Sequence, residues 1–351
     1  MSDPVKIGFA GVGSMGQCAH LRNYATIDQC EVVAISELRP KLRERVAAKY
    51  GISRTYESAA EMIEAESLEG IVASQPFNHH GRLLPPLYAA GIPLFTEKPL
   101  AASVEVGQQL IEELKKTDSW HMVGYHKRSD PGTMLVMEEI KRAKETGDLG
   151  VMKYVRITMP AGDWIAGGFV GMVSTDEQVP PADADPPASD LDEASFGLYV
   201  GLVNFYVHQV NLMRYLLGED YKVTHADPSG VLLVSESASG IPGVLEMTPF
   251  STSLDWQEVA LVCFEKGWFK LTFPAPVAVG RHAEVEIFRE GGAGGRPETV
   301  IPQLPWVSAM RQQAVNFCAA IRGEIEPPCT AEDAMKDLHV LRDYVRLRNG
   351  V

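Results

Sequence analysis

Val5-Lys6-Ile7-Gly8-Phe9-Ala10-Gly11-Val12-Gly13-Ser14-Met15-Gly16 decides how the first third of the chain folds. Residues 5–10 form a short apolar run, the mark of a buried strand, and residues 16–26 read as helix. Between them Gly11, Gly13 and Gly16 stand at the G-x-G-x-x-G spacing. After a strand and before a helix, that pattern reads as a dinucleotide-binding turn. Gly11 permits the tight turn, Gly13 lets a pyrophosphate approach the backbone, and Gly16 lets the helix pack on the strand. The helix start at Ser14 and Met15 then offers N–H groups and partial positive charge to phosphates. The plainer alternative is an ordinary glycine turn between strand and helix.

Working outward, strand and helix signals alternate. Strands fall at 32–36, 70–74, 93–96 and 120–124, and helices at 40–50 (stopped by Gly51), 59–66, 81–90 (ended by Gly91) and 103–116. Such alternation implies parallel strands joined by crossovers, hence a doubly wound sheet in a domain spanning 1–125. The pattern then changes, and 126–351 reads as a second, α+β domain. A helix at 131–146 leads to a strand at 152–159. Strand-like runs at 230–235, 243–247, 257–264 and 268–273 have no helices between them, which suggests a large, mostly antiparallel open sheet. A helix over 198–217 closes at Gly218. Two terminal helices, 306–322 and 331–347, close the chain, with packing back onto the first domain open to them. Residues 160–195, rich in proline and acid, are either a solvated linker or a lid.

The 351 residues suit two domains, and 45% hydrophobic with 22% charged residues excludes wholesale disorder. The net charge of −14 opposes nucleic-acid binding. No apolar run reaches the roughly 20 residues that span a bilayer. The first residues lack a signal peptide's basic and apolar regions. Cys18, Cys30, Cys263, Cys318 and Cys329 form no C-x-x-C pair and no zinc-ligand spacing, so unpaired thiols in a cytoplasmic protein with no metal are expected.

Glu37 ends the second strand about twenty residues past the last glycine, where a carboxylate accepts from the adenosine ribose hydroxyls and repels a 2′-phosphate. It favours NAD over NADP. Arg39 either offsets that repulsion or is a solvated residue at the helix start. Thr96-Glu97-Lys98-Pro99 follows a buried strand, and charges there are expensive to bury unless paired. Lys98 fits a donor beside a nicotinamide and a sugar hydroxyl; a surface ion pair at a loop is the bland alternative.

Together these motifs resemble the Gfo/Idh/MocA family, the glucose–fructose oxidoreductase and inositol dehydrogenase relatives. The resemblance runs through Gly11–Gly16, Gln75-Pro76 with Asn78-His79-His80, Glu97-Lys98-Pro99, the stretch from Gly124 through His126-Lys127-Arg128 to Pro131, and the helix carrying His208. It implies that the first domain is a Rossmann domain, and it implies NAD(P)-dependent transfer of hydride between nicotinamide and a hydroxyl carbon of a sugar, glycoside or cyclitol. It also implies a homodimer or homotetramer through the C-terminal sheet. Gly11, Gly13, Ser14, Met15, Gly16, Glu37, Gln75, Pro76, His79, Glu97, Lys98 and His126 are the expected cofactor contacts.

The family's D-x-x-x-H helix pattern reads here Asn204-Phe205-Tyr206-Val207-His208, with Asn211 three residues on, where Asp is also frequent. The i,i+4 spacing would put Asn204 and His208 on one helix face. Asn binds a hydroxyl but holds no charge. The resemblance makes Lys98 and His208 the catalytic candidates and Asn204 a substrate contact. A lone helical His is otherwise a core or interface residue. Lys127 and Arg128 either contact cofactor or an anionic substrate group, or face solvent. Asp163-Trp164 reads as a sugar platform or a loop anchor. The acidic residues from Asp176 to Glu193 lack the ordered spacing of a calcium loop. Two other functions stay open: an oxidoreductive glycosidase that oxidises its sugar transiently with no net NADH, and a non-catalytic nucleotide-binding relative.

Overall fold

The computed structural model describes residues 3–291 and 295–350. Its first sheet has six strands, β1 (Val5–Ala10), β2 (Cys30–Ser36), β3 (Arg54–Tyr56), β4 (Gly70–Ala73), β5 (Leu94–Glu97) and β6 (His121–Gly124), in the order β3-β2-β1-β4-β5-β6. Every pairing is parallel. This is the doubly wound Rossmann order, whose switch point lies between β1 and β4. β4, β5 and β6 are buried along their length, as a sheet covered on both faces requires.

Local chemistry sets the helix ends. Pro40 opens the helix Pro40–Tyr50 and Gly51, at φ 68°, closes it. Ser103 caps Val104–Leu114 by accepting the Val106 amide at 3.3 Å. The expected helix at 81–90 is two short ones, His80–Leu83 and Pro85–Tyr88, because Pro85 and Pro86 remove donors that a continuous helix needs. The core beneath the first sheet includes Phe9, Tyr24 and Phe95, with Phe317 set between Tyr24, Phe95 and Trp120 at 6.4, 5.7 and 5.6 Å. Phe317 comes from the late helix Ala309–Ile321, and burying it contributes roughly 1.5–3 kcal/mol.

The second sheet has eight strands: β7 (Met152–Ala161), β8 (Tyr221–Ala226), β9 (Leu232–Ser237), β10 (Pro242–Ser251), β11 (Glu258–Phe264), β12 (Gly267–Phe273), β13 (Glu284–Arg289) and β14 (Glu298–Val300). Their order is β14-β13-β12-β11-β7-β10-β9-β8, antiparallel except where β7 meets β10. β11 and β12 alternate buried and half-buried residues, one face on the core and the other open. The α/β character and the mostly antiparallel second sheet are those the sequence predicts. β3, β8, β13 and β14 are not among the expected strands; β3 and β14 have only three residues each, and β8 and β13 carry charged or polar residues at alternate positions.

Two compact units make up the chain. One runs through Tyr125 and takes in Gly167–Phe196 and Met310–Leu338; the other holds His126–Ala166, Gly197–Ala309 and the residues from His339 onward. None of the five cysteines forms a disulfide. No helix among the described residues is long and apolar enough to cross a membrane.

Candidate active site

The first unit builds a nucleotide cradle at the carboxyl ends of β1, β2, β4 and β5. Gly11 has φ 91°, and a Cβ there would meet the Ser74 carbonyl at 2.8 Å. A Cβ on Gly16 would come within 2.6 Å of the Gly11 carbonyl, so helix and strand meet at a distance only glycine allows. A Cβ on Gly13 would meet only the Arg39 guanidinium, at 3.7 Å, which leaves its outer side open to a ligand. Ser14 is exposed and Met15 half-buried at the start of the helical segment, which is wound as a π-helix over Gly16–Leu21 and continues as Arg22–Tyr24. The loop is braced by Gln17, whose Nε2 donates to the Val12 carbonyl at 2.8 Å, and by Gln75, whose Nε2 donates to the Ala10 carbonyl at 3.1 Å.

Glu37 lies at the end of β2, buried, and accepts the Val12 amide at 3.1 Å. Arg39 grips both of its oxygens, Nε at 2.8 Å and Nη2 at 3.1 Å. Burial pushes the Glu37 carboxyl up, but Arg39 and the amides of Val12 and Arg39 outweigh it and hold the group below the usual carboxylate range. Glu37 therefore stays ionised, with capacity to accept ribose hydroxyls. These residues fit a dinucleotide: an open glycine at the phosphate position and a carboxylate at the ribose position.

Glu97 and Lys98 end β5. Glu97 receives His20 Nε2 at 2.6 Å and the Lys98 amide at 3.2 Å. Lys98 is half-buried, and its peptide bond to Pro99 is cis. His20 escaped the sequence reading, although it stands four residues past Gly16 on the same helix, one turn inward. His79, half-buried, bonds through Nδ1 to the Asp183 carbonyl at 2.9 Å; Pro76 is exposed.

In the second unit, a short turn His126–Ser129 is buried throughout. The rings of His126 and His208 meet edge to face at 4.5 Å. Lys127 and Arg128 do not face solvent. The Lys127 ammonium is bonded to Glu258 at 2.6 Å, both side chains fully enclosed, and Gln209 donates to the other Glu258 oxygen at 2.6 Å. Lys127 also lies 4.8 Å over the Phe273 ring. Arg128 donates Nε to Asn211 at 2.6 Å and stacks 4.7 Å over Tyr215. These contacts commit both cations to tying the turn to the helix and sheet, which argues against the substrate-binding role expected of them. Asn211 is the amide partner of Arg128.

The single helix expected over 198–217 is two, Glu193–Phe205 and Val207–Leu217, with Tyr206 between them at φ −97° and ψ −4°. The i,i+4 alignment of Asn204 with His208 therefore does not rest on one unbroken helix. Asn204 is exposed and His208 half-buried. Asp163 turns its Oδ1 to the amides of Ile165 and Ala166 at 3.1 and 3.0 Å, which shapes the loop. Trp164 beside it is 37% exposed, so its ring presents a face to solvent. Among the described residues no three His, Cys, Asp or Glu side chains are grouped so as to hold a metal ion.

Residues 5–125 match the model of the Gfo/Idh/MocA oxidoreductase family, which has an NAD-binding Rossmann fold. The chain is 27% identical to myo-inositol 2-dehydrogenase of Thermotoga maritima over 66% of its own length and 60% of that enzyme's. It is 25% identical to the scyllo-inositol 2-dehydrogenase (NAD(+)) of Bacillus subtilis, covering 100% of this chain and 96% of that one. A solved levoglucosan dehydrogenase, in complex with NADH and levoglucosan, superimposes with a TM-score of 0.73 at 18% identity over 99% of this chain and 98% of that one, a likeness of fold. Residues 5–125 thus match the NAD-binding Rossmann domain of the Gfo/Idh/MocA oxidoreductases, and the relatives found over longer stretches include inositol dehydrogenases.

Proposed function

We propose that the protein is an NAD-dependent dehydrogenase that oxidises a hydroxyl carbon of a cyclitol, sugar or glycoside. The observation that carries this reading is the open glycine cradle with the ionised Glu37 at its ribose end, beside a half-buried Lys98 at the end of β5. The inositol dehydrogenases among its relatives support the substrate class. NAD, when bound, supplies the hydride acceptor. Gly11, Gly13, Gly16 and Glu37 hold it, with Gln75 and His79 flanking.

Lys98 is assigned the proton of the reacting hydroxyl, with Glu97 and His20 fixing its backbone. His208 is the second proton-transfer candidate, its ring orientation set by the edge contact with His126. Trp164 offers an apolar face to the C–H side of a ring substrate. Lys127 and Arg128 act by position, holding the turn that carries His126.

The open face of the second sheet, where Trp268 and Phe288 stack at 5.7 Å and Lys270 pairs with Glu286, is assigned the homo-oligomer contact.

Lys98→Ala tests the chemistry. It is expected to lower kcat by about 10²–10⁴ while NADH binding, read by fluorescence, is kept. Undiminished turnover in that variant would overturn the assignment.

A further inference from the structure

The proline- and acid-rich segment after β7 is tied along its length to the N-terminal unit. Arg22 Nη1 donates to the Gly168 carbonyl at 2.7 Å, and Lys49 Nζ to the Gly171 carbonyl at 2.5 Å. Gln17 exchanges two hydrogen bonds with the Val173 backbone, giving Nε2–H to its carbonyl at 3.0 Å and taking its amide at 2.9 Å. Glu177 accepts the amides of Lys41 and Leu42 at 3.1 and 2.9 Å, in the first turn of the helix that follows β2. Farther on, the Asp183 carbonyl accepts from Arg82 at 2.7 Å. The Asp185 carboxylate takes the Gly81 amide at 2.7 Å, and its own amide goes to the Asn78 carbonyl at 2.7 Å.

The order of these partners is informative. Up to Glu177 they alternate between the helix after the glycine loop and the helix after β2, and from Asp183 they are the turn and short helix after β4. β2 and β4 flank β1 in the sheet, so the chain between Glu177 and Asp183 passes from one side of β1 to the other. Two strand spacings are about 10 Å, well within the reach of the five intervening residues. Those residues are Gln178-Val179-Pro180-Pro181-Ala182, and the two prolines stiffen the crossing and present no N–H of their own.

The crossing also completes the charge pattern around the ribose position. The first three cations after β2 are each engaged. Arg39 is held by Glu37 and feels the Glu177 charge as well. Lys41 pairs with Asp176 of the crossing segment at 3.3 Å, and Arg43 donates to the Glu37 carbonyl at 2.5 Å. The segment thus brings two further acids to the place where NADP would carry its phosphate.

We propose that residues 167–185 are a fixed strap across the adenosine end of the NAD site, and that Glu177 is a specificity-determining residue which, with Glu37, excludes a 2′-phosphate. This rests on the NAD reading given above. A strap anchored on both sides of the crevice must lift for the cofactor to exchange, so release of the dinucleotide is slow.

Stopped-flow displacement of NADH and fluorescence titration of NADH and NADPH test both parts on the full chain. Glu177→Gln keeps the size, removes the charge and retains one of the two amide bonds to Lys41 and Leu42, and is expected to improve NADPH affinity relative to NADH about tenfold. Replacing Pro180 and Pro181 together by glycine loosens the crossing and is expected to raise the NADH release rate about tenfold. If NADH binds but neither variant changes preference or release, the strap proposal is overturned and the NAD reading stands. If the unaltered protein binds neither nucleotide, both fall.

Discussion

His20 Nε2 lies 2.6 Å from Glu97 Oε1, joining the helix that leaves the glycine loop to the end of β5 in one almost fully buried pair. The phosphate-binding and Lys98-bearing segments are therefore fixed relative to each other by a side-chain contact across 77 residues of sequence. His20→Leu leaves a buried carboxylate short of a donor and is expected to cost about 1–3 kcal/mol in urea denaturation. The double variant with Glu97→Gln should cost less than the sum of the two single ones. Additive losses would show that the pair is not coupled.

The Lys127–Glu258 pair is more deeply enclosed. Glu258→Gln strands an ammonium in the interior and is expected to destabilise the protein by about 3–5 kcal/mol. Replacing both partners by Met and Leu should cost less, since neither charge of the pair then remains and only the Gln209 amide loses its acceptor. Equal losses for the single and double replacements would indicate that packing alone is at stake.

Glu37→Ala removes the carboxylate proposed to accept the ribose hydroxyls. NADH affinity should fall about 10–100-fold, the worth of one or two charged hydrogen bonds, with NADPH affected less. A parallel fall for both nucleotides would place the ribose elsewhere.

Acid sensitivity follows from His121. Its ring is buried on β6 between the Tyr88 hydroxyl at 2.9 Å and the Thr96 hydroxyl at 2.8 Å. Burial, helped by the nearby His80, pushes it down to about 3. The unfolded chain takes up this proton below its ordinary value of about 6.5, while the folded one resists until near 3. The associated stability is thus complete above pH 6.5 and drains away as pH falls, by about 1.4 kcal/mol per pH unit. His121→Asn should flatten the stability profile between pH 6 and 4 by that slope. An unchanged slope would mean that this ring protonates in the folded state.

Much of this architecture was legible in the chain because it is local. The Gly11–Gly16 spacing, the apolar strands, and the stops at Gly51 and Gly218 each announce themselves within a few residues. The helix Pro131–Thr146, opened by Pro131 and capped by Asp130, falls at its expected bounds. The break at Tyr206 was not legible, since no Pro or Gly within Asn204-Phe205-Tyr206-Val207-His208 marks it. Nor was the burial of Lys127 and Arg128, whose partners Glu258 and Asn211 lie 131 and 83 residues away. The segment 160–195 was legible only as a choice between solvated linker and lid, because its contacts are largely with backbone groups and cations more than a hundred residues distant.

Hydride transfer from a polyol to NAD is read by absorbance at 340 nm. Purified protein with NAD is screened against inositols, sugars and glycosides, with released aglycone read in parallel. NADH should accumulate with one class of polyol and fail to do so in Lys98→Ala. Aglycone release with no NADH, or no turnover by a protein that binds NAD, would contradict this reading.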